Sequence, residues 1–248
     1  MLRTRKGQPP PPAERRAPSA SEQERFTHFL QMAGLGKDFE DCALCLAMLR
    51  LFTLQECGNQ DRQQTEHFIH DCFHSAYGAD ITHFMPRLFE LSTRRGERVA
   101  AFGIRSAADE PLFLEHYLAQ PIEQVLGAKL GTELKRDKIV EVGNLAAIYP
   151  GAARWLIVAL TVKLYQSGFE WVVFTGTSTL RNGFRRLGLH PIELGPASLT
   201  QLPEAERTQW GSYYETSPVV MAGNIHYGYL EMKHMHQLPQ PQGLPLAP

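Results

Sequence analysis

Polar residues on a strand that runs into a small-residue turn and a helix give this 248-residue chain a place for chemistry beside a bound anion. Glu141 and Asn144 lie in the run IVEVGNLAAI, and Arg105 lies upstream in GIRS. A glutamate whose ionisation burial pushes toward neutrality can take a proton from an attacking nucleophile. Arg105 and Asn144 can orient an acceptor carboxylate or a donor carbonyl. Backbone N–H groups near Gly143 and Leu145 can polarise a bound carbonyl in the manner of an oxyanion hole. Just downstream, Gly151, Ala152 and Ala153 are small where a ligand would press on backbone, and Arg154 adds a positive charge. A helix opening there offers unpaired N–H groups and a positive dipole end to an anion. Glu141, Arg105 and Asn144 are therefore the catalytic candidates. Gly143, Leu145, Gly151, Ala152, Ala153 and Arg154 are the candidates for holding a phosphate-bearing donor. The plainer alternative is a packing glycine beside a satisfied glutamate, because Gly-Ala-Ala opens many ordinary helices.

The elements that must position these residues read strand, tight turn, helix, strand, helix. Residues 139–148 are predicted as a strand with Gly143 in its interior, which often marks a bulge. With a bulge, Glu141 and Asn144 face the same side; without one, they point to opposite faces. The segment 149–154 is the turn, and 155–164 is so apolar that its helix must be buried. WVVFTGT is a buried strand, after which Thr177 or Ser178 caps a helix that stops at Gly188. Upstream, 25–57 read as helical around FEDCALCLAMLRLF. Residues 63–77 form an amphipathic helix with Phe68, Ile69, Cys72, Phe73 and Ala76 on one face. A hairpin turns at Arg95-Gly96 into a strand over 99–105, and PLFLEHYLAQPIEQVLG is helical with an interruption near Pro121. After Leu189 the pattern is short strands and loops, with PVVMAGNIHYGYLEM as the last strand. The strands are expected to splay near Ile148.

Composition narrows the partners. A formal net charge of −1 gives no global attraction to nucleic acid or anionic lipid, and no nucleic-acid partner is expected. Cys42, Cys45, Cys57 and Cys72 all fall in the first third of the chain, so they read as reduced thiols of a cytoplasmic protein. The Cys42/Cys45 spacing is half of a zinc knuckle, but on an apolar helix such cysteines pack as small hydrophobes. His67, His70 and His74 share a helix face at chelating spacing, opposite the apolar stripe; solvent exposure is the plainer reading, and no metal is expected. Residues 42–54 and 155–164 are too short to span a bilayer, so no transmembrane segment is predicted. No Gly-x-Ser-x-Gly occurs, which argues against a hydrolytic triad. The chain divides into a disordered Pro/Arg-rich tail (1–24), a helical extension (25–58), the main domain (59–236) and a loose tail (237–248).

The order of elements ending in Leu187-Gly188-Leu189 resembles the acyl-CoA-binding half of the GNAT acyltransferase fold. In that family the turn reads Gln/Arg-x-x-Gly-x-Gly/Ala and cradles the CoA pyrophosphate. Gly151-x-Ala153 matches its second half, while Ile148 stands where Gln or Arg is expected. Phe184 occupies the position of the tyrosine that often serves as general acid. GIRSAADEPLFLEHYL and Glu141-Val-Gly-Asn144 are similar to acyl-homoserine-lactone synthases, with Arg105 matching an arginine there and Asn144 replacing another. FIHDCFHSAYGADITHFMPRLFEL, IVEVGNLA, WVVFTGTSTLRNGFRRLGL and WGSYYETSPVVMAG resemble the thermostable haemolysin family over about 62–228. These resemblances imply an α/β fold, a central mostly antiparallel sheet with helices on both faces. They imply an acyltransferase using acyl-CoA or acyl carrier protein as donor substrate, with no tightly bound cofactor and an unidentified small acceptor. The apolar stretch PLFLEHYL slightly favours longer acyl chains over acetyl. Two alternatives stay open: a non-catalytic ligand- or partner-binding protein, and the membrane-lytic protein that the family name implies.

Overall fold

The computed structural model describes residues 50–234. The expectations for 1–24, for 25–49 with Cys42 and Cys45, and for 235–248 lie outside the described residues. A seven-stranded sheet forms the centre, in the order β1-β2-β3-β4-β5-β7-β6. Its strands are β1 (Phe52–Glu56), β2 (Arg87–Thr93), β3 (Arg98–Ser106), β4 (Ile139–Ala147), β5 (Trp171–Gly176), β6 (Ile192–Pro196) and β7 (Val219–Asn224). Every neighbouring pair is antiparallel except β4 and β5. That parallel pair is joined by the buried helix α3 (Pro150–Gln166), as a parallel connection requires.

The two faces of the sheet carry different layers. On one face lies α1 (Arg62–Tyr77), whose Ile69 and Phe73 pack with Met85, Leu88, Ala101 and Ala146. Beside it a 3-10 helix (Phe113–Tyr117) and α2 (Ile122–Leu130) bury Leu114, Tyr117, Ile122 and Leu126 against Ile139, Val173 and Ala222. Pro121 sits at the start of α2, where its missing N–H costs nothing. On the other face, α3 places Trp155 against Phe52 and Lys163 over the ring of Phe89, which stacks on Phe102. There too lie α4 (Ser178–Arg186), with Phe184 against Phe174, and α6 (Ile225–His234), with Tyr229 stacked on Tyr165. A short α5 (Glu204–Arg207) and 3-10 turns complete the chain.

Three sequence expectations change. The helical reading of 25–57 fails at its end: Phe52–Glu56 is an edge strand, paired in register Phe52↔Thr93 to Glu56↔Phe89. Only Phe52 of that strand is fully buried, so its alternation was hidden behind the apolar run before it. The strand expected over the whole of PVVMAGNIHYGYLEM stops at Asn224, whose side chain accepts the Tyr227 N–H at 2.8 Å and starts α6. Ala76, expected on the apolar face of α1, is exposed.

Candidate active site

The interior of β4 carries the bulge that Gly143 suggested. Opposite β3, the register runs Gly103↔Gly143 and then Ala101↔Ala146, so β4 holds one extra residue there. Asn144 absorbs it with a left-handed φ of 51°. An asparagine tolerates that region because its short amide bonds locally. Here Oδ1 accepts the Met85 N–H at 2.8 Å and Nδ2 donates to the His83 carbonyl at 3.3 Å. Glu141 and Asn144 thus reach the same face of the sheet, the condition the sequence set. Met85 lies against both Gly103 and Gly143, where a β-carbon would collide with it.

The parallel ladder between β4 and β5 ends at Val142↔Phe174. Beyond it β4 runs on to Ala147 without a ladder partner on its β5 side. The strands therefore part at Gly143, five residues before the expected Ile148, which is exposed. Through this parting runs a cleft of about 460 Å³. Of the sequence candidates, Arg105, Glu141, Gly143, Asn144, Leu145, Ala153 and Arg154 line it. Gly151 and Ala152 do not: Gly151 is exposed beside the Tyr149 ring, and Ala152 is turned into the core. Pro150 and the α4 residues Thr179, Asn182 and Arg186 complete the α3/α4 end. Arg154 and Arg186 form no ion pair among the described residues.

At the other end Glu141 is almost wholly buried, at 3% exposure. Its Oε2 accepts the Phe113 N–H at 2.8 Å and its Oε1 the Leu114 N–H at 2.9 Å, both from the start of the 3-10 helix. Desolvation raises its pKa to about 7; the two N–H groups and the Arg105 charge pull the other way without prevailing. Arg105 pairs with Glu141 in the β3/β4 register. Its Nε stands 3.0 Å from Glu110 Oε1, but its buried N–H makes no hydrogen bond.

An aromatic wall that the sequence did not reveal encloses this end. Phe73 and Tyr77 come from α1, Phe113 and Tyr117 from the 3-10 helix, and Trp210, Tyr213 and Tyr214 from the turns after α5. Tyr77 and Tyr213 meet edge to face at 5.2 Å, and the hydroxyls of Tyr117 and Tyr214 are hydrogen-bonded to each other. Burial raises the pKa of Tyr77, Tyr117 and Tyr214, the last to about 12, so these phenols stay protonated near neutrality. The only sequence signal was aromatic density in WGSYYET. Phe184 does not line the cleft; it packs on Phe174. A separate group, His67, His70 and Asp71, lies on the outer side of α1 and brings three metal-ligating atoms within 4.8 Å of one another.

The profile of the thermostable hemolysin family matches residues 55–229, and the chain belongs to that family. No curated protein matches it in sequence. Among solved structures, it is similar to FeeM, an N-acyl amino acid synthase from uncultured soil microbes. That match has a TM-score of 0.50 at 14% identity, covering 71% of this chain and 92% of FeeM. TofI in its apo form gives a TM-score of 0.50 at 14% identity, covering 73% and 95%. The AHL synthase LasI gives 0.48 at 12% identity, covering 70% and 90%. At such identities the likeness is one of fold, the GNAT-like acyltransferase fold expected from the sequence. Among the described residues no helix is long and apolar enough to cross a membrane.

Proposed function

We propose that the protein is an acyltransferase that moves an acyl group from an acyl-CoA or acyl-carrier-protein thioester to a small amine-bearing acceptor. The observation that carries this reading is the single cleft that joins the opening of α3, through the parted strands, to a buried glutamate. The donor's phosphates lie at the α3/α4 end against Arg154 and Arg186, and its thioester lies over the bulge. There the backbone of Gly143 and Leu145, free of a ladder partner toward β5, polarises the carbonyl. Each Glu141 oxygen keeps one acceptor position besides the backbone N–H it already binds. With a pKa of about 7, the carboxylate takes the proton as the acceptor nitrogen attacks. The C–N bond forms, the C–S bond breaks, and the thiolate leaves with the electron pair. Arg105, whose Nη1 also donates to the Pro111 carbonyl at 3.5 Å, orients an acceptor carboxylate with its remaining guanidinium N–H groups. The aromatic wall excludes water and takes an apolar acyl chain or acceptor side chain. Thioester donors of this kind suit a cytoplasmic protein.

Two observations favour a second reading, a binding protein without catalysis. Both Glu141 oxygens already anchor backbone, and Phe184 has no hydroxyl and packs on Phe174 outside the cleft lining. The haemolysin reading of the family name has less support, because α3, the most apolar of the described helices, spends its apolar residues in the core.

Thermal unfolding with CoA, acetyl-CoA, a long-chain acyl-CoA and an acyl carrier protein tests the proposal, followed by thiol release with a panel of amines. A donor at about 100 times its Kd adds about 2.7 kcal/mol and raises Tm by several degrees. The shift is expected to shrink in Arg154→Ala. Binding with no thiol release for any acceptor would favour the second reading, and no shift with any donor would defeat the acyltransferase proposal.

A further inference from the structure

We propose a divalent metal site on the outer face of α1, formed by His67, His70 and Asp71, with zinc as the fitting ion. His70 carries a carboxylate at each ring nitrogen: Nε2 lies 2.7 Å from Asp80 Oδ1 and Nδ1 lies 3.3 Å from Asp71 Oδ1. A neutral imidazole has one N–H, so whichever carboxylate it serves, a lone pair is left facing the other. The shorter contact is to Asp80; with the N–H of a neutral ring on Nε2, the Nδ1 lone pair is directed at Asp71. A cation relieves two acceptors that face each other, either a proton on His70 or a metal ion shared with Asp71.

The third ligand stands on the same spot. His67 Nε2 is 3.4 Å from Asp71 Oδ2, so the Asp71 carboxylate lies between two imidazoles one helical turn apart. The three ligating atoms lie within 4.8 Å of one another. Side chains this exposed close the remaining distance by small rotations. Two imidazoles and a carboxylate suit zinc and leave a fourth position for water. Asp80 then acts as the outer carboxylate that fixes the ring and tautomer of a ligating histidine. His67 and His74 both stack on His70, with ring centroids 6.3 and 5.9 Å away, but the set of close ligating atoms includes His67 and not His74.

The site would clip α1 to the segment that follows it. That segment carries Met85, whose N–H holds Asn144 in the bulge, while α1 contributes Phe73 and Tyr77 to the cleft. The inference stands independently of the acyltransferase reading, because it uses none of the cleft residues as ligands.

The test is calorimetric titration of the untagged full-length protein, stripped with a chelator, with Zn2+ and then with Mg2+. Saturable micromolar binding of Zn2+ alone is expected, with Tm raised by several degrees at saturation. His67→Gln and Asp71→Asn should weaken binding by ~10-fold or more, and Asp80→Asn by about 10–100-fold. All three positions are exposed, so the variants should fold. Absence of saturable binding below millimolar zinc would overturn the proposal and leave an imidazolium as the bridging cation. Unchanged affinity in His67→Gln and Asp71→Asn would overturn it equally; a thiolate charge-transfer band with Co2+ would then place the metal on cysteines.

Discussion

Glu141 accepts the backbone N–H of Phe113 at 2.8 Å, so the carboxyl group that ionises late also holds the first residue of the helix roofing it. Its proton therefore links cleft chemistry to fold stability.

Unfolded, this carboxyl ionises near 4.5, and in the fold it ionises at about 7. Between those values the native state holds a proton that the unfolded chain has released. Glu141 therefore favours the fold most below about 4.5; its contribution falls as pH rises toward about 7 and is level above that. At about 1.4 kcal/mol per pH decade, the fall amounts to roughly 3 kcal/mol. Glu141→Gln cannot titrate, so the stability difference between wild type and variant should change by about that amount between pH 4.5 and 7.5. Urea unfolding at intervals across that range measures it, and parallel stability curves would refute the assignment. In the proposed reaction the same group makes kcat/KM rise with pH through about 7.

The parts of this arrangement legible in the sequence are those written in local pattern. The all-apolar run from Trp155 to Leu160 required a buried helix, and glycine inside a strand at 143 marked the bulge. The conditional about Glu141 and Asn144 was resolved by one dihedral, the positive φ at Asn144. What stayed illegible was long-range. Tyr117 and Tyr214 bond across 97 positions of chain, and nothing in either local sequence names the other. Gly151 and Ala152 show the opposite failure: the turn looks right residue by residue, but which side chains meet the cleft depends on how α3 is rotated against the sheet.

Met85 separates two glycines that look alike in the sequence. A β-carbon at Gly143 would meet the methyl end of Met85, which can swing aside, whereas one at Gly103 would meet the Met85 β-carbon, which moves only with its backbone. Gly103→Ala should therefore cost about 1–3 kcal/mol, as overpacking does, and displace the Met85 N–H from Asn144. Gly143→Ala should cost less. Chemical denaturation of the two variants decides this, and an equal or reversed order would show that the Met85 segment yields as easily as its side chain.

Arg136 should act on Glu141 without touching it. Its Nη1 lies 2.7 Å from Glu115 Oε1 and 2.6 Å from Glu123 Oε2, and its Nε donates to the Ala107 carbonyl at 2.7 Å. Glu115 in turn accepts the Leu112 N–H at 2.8 Å and the Ile122 N–H at 2.8 Å. The segment that offers the Phe113 and Leu114 N–H groups to Glu141 is thus pinned from behind by one guanidinium. Arg136→Ala should destabilise the fold by about 1–3 kcal/mol, since the pairs are partly solvated. It should also loosen those two N–H groups, which hold the Glu141 pKa down, so the midpoint at Glu141 should move upward from about 7. Arg136→Lys keeps one charge but loses the fork, and should restore the midpoint only in part. Carboxyl NMR of Glu141, or the pH dependence of stability, reads the midpoint directly. A drop in Tm with an unmoved midpoint would reduce Arg136 to a structural clamp with no influence on the glutamate.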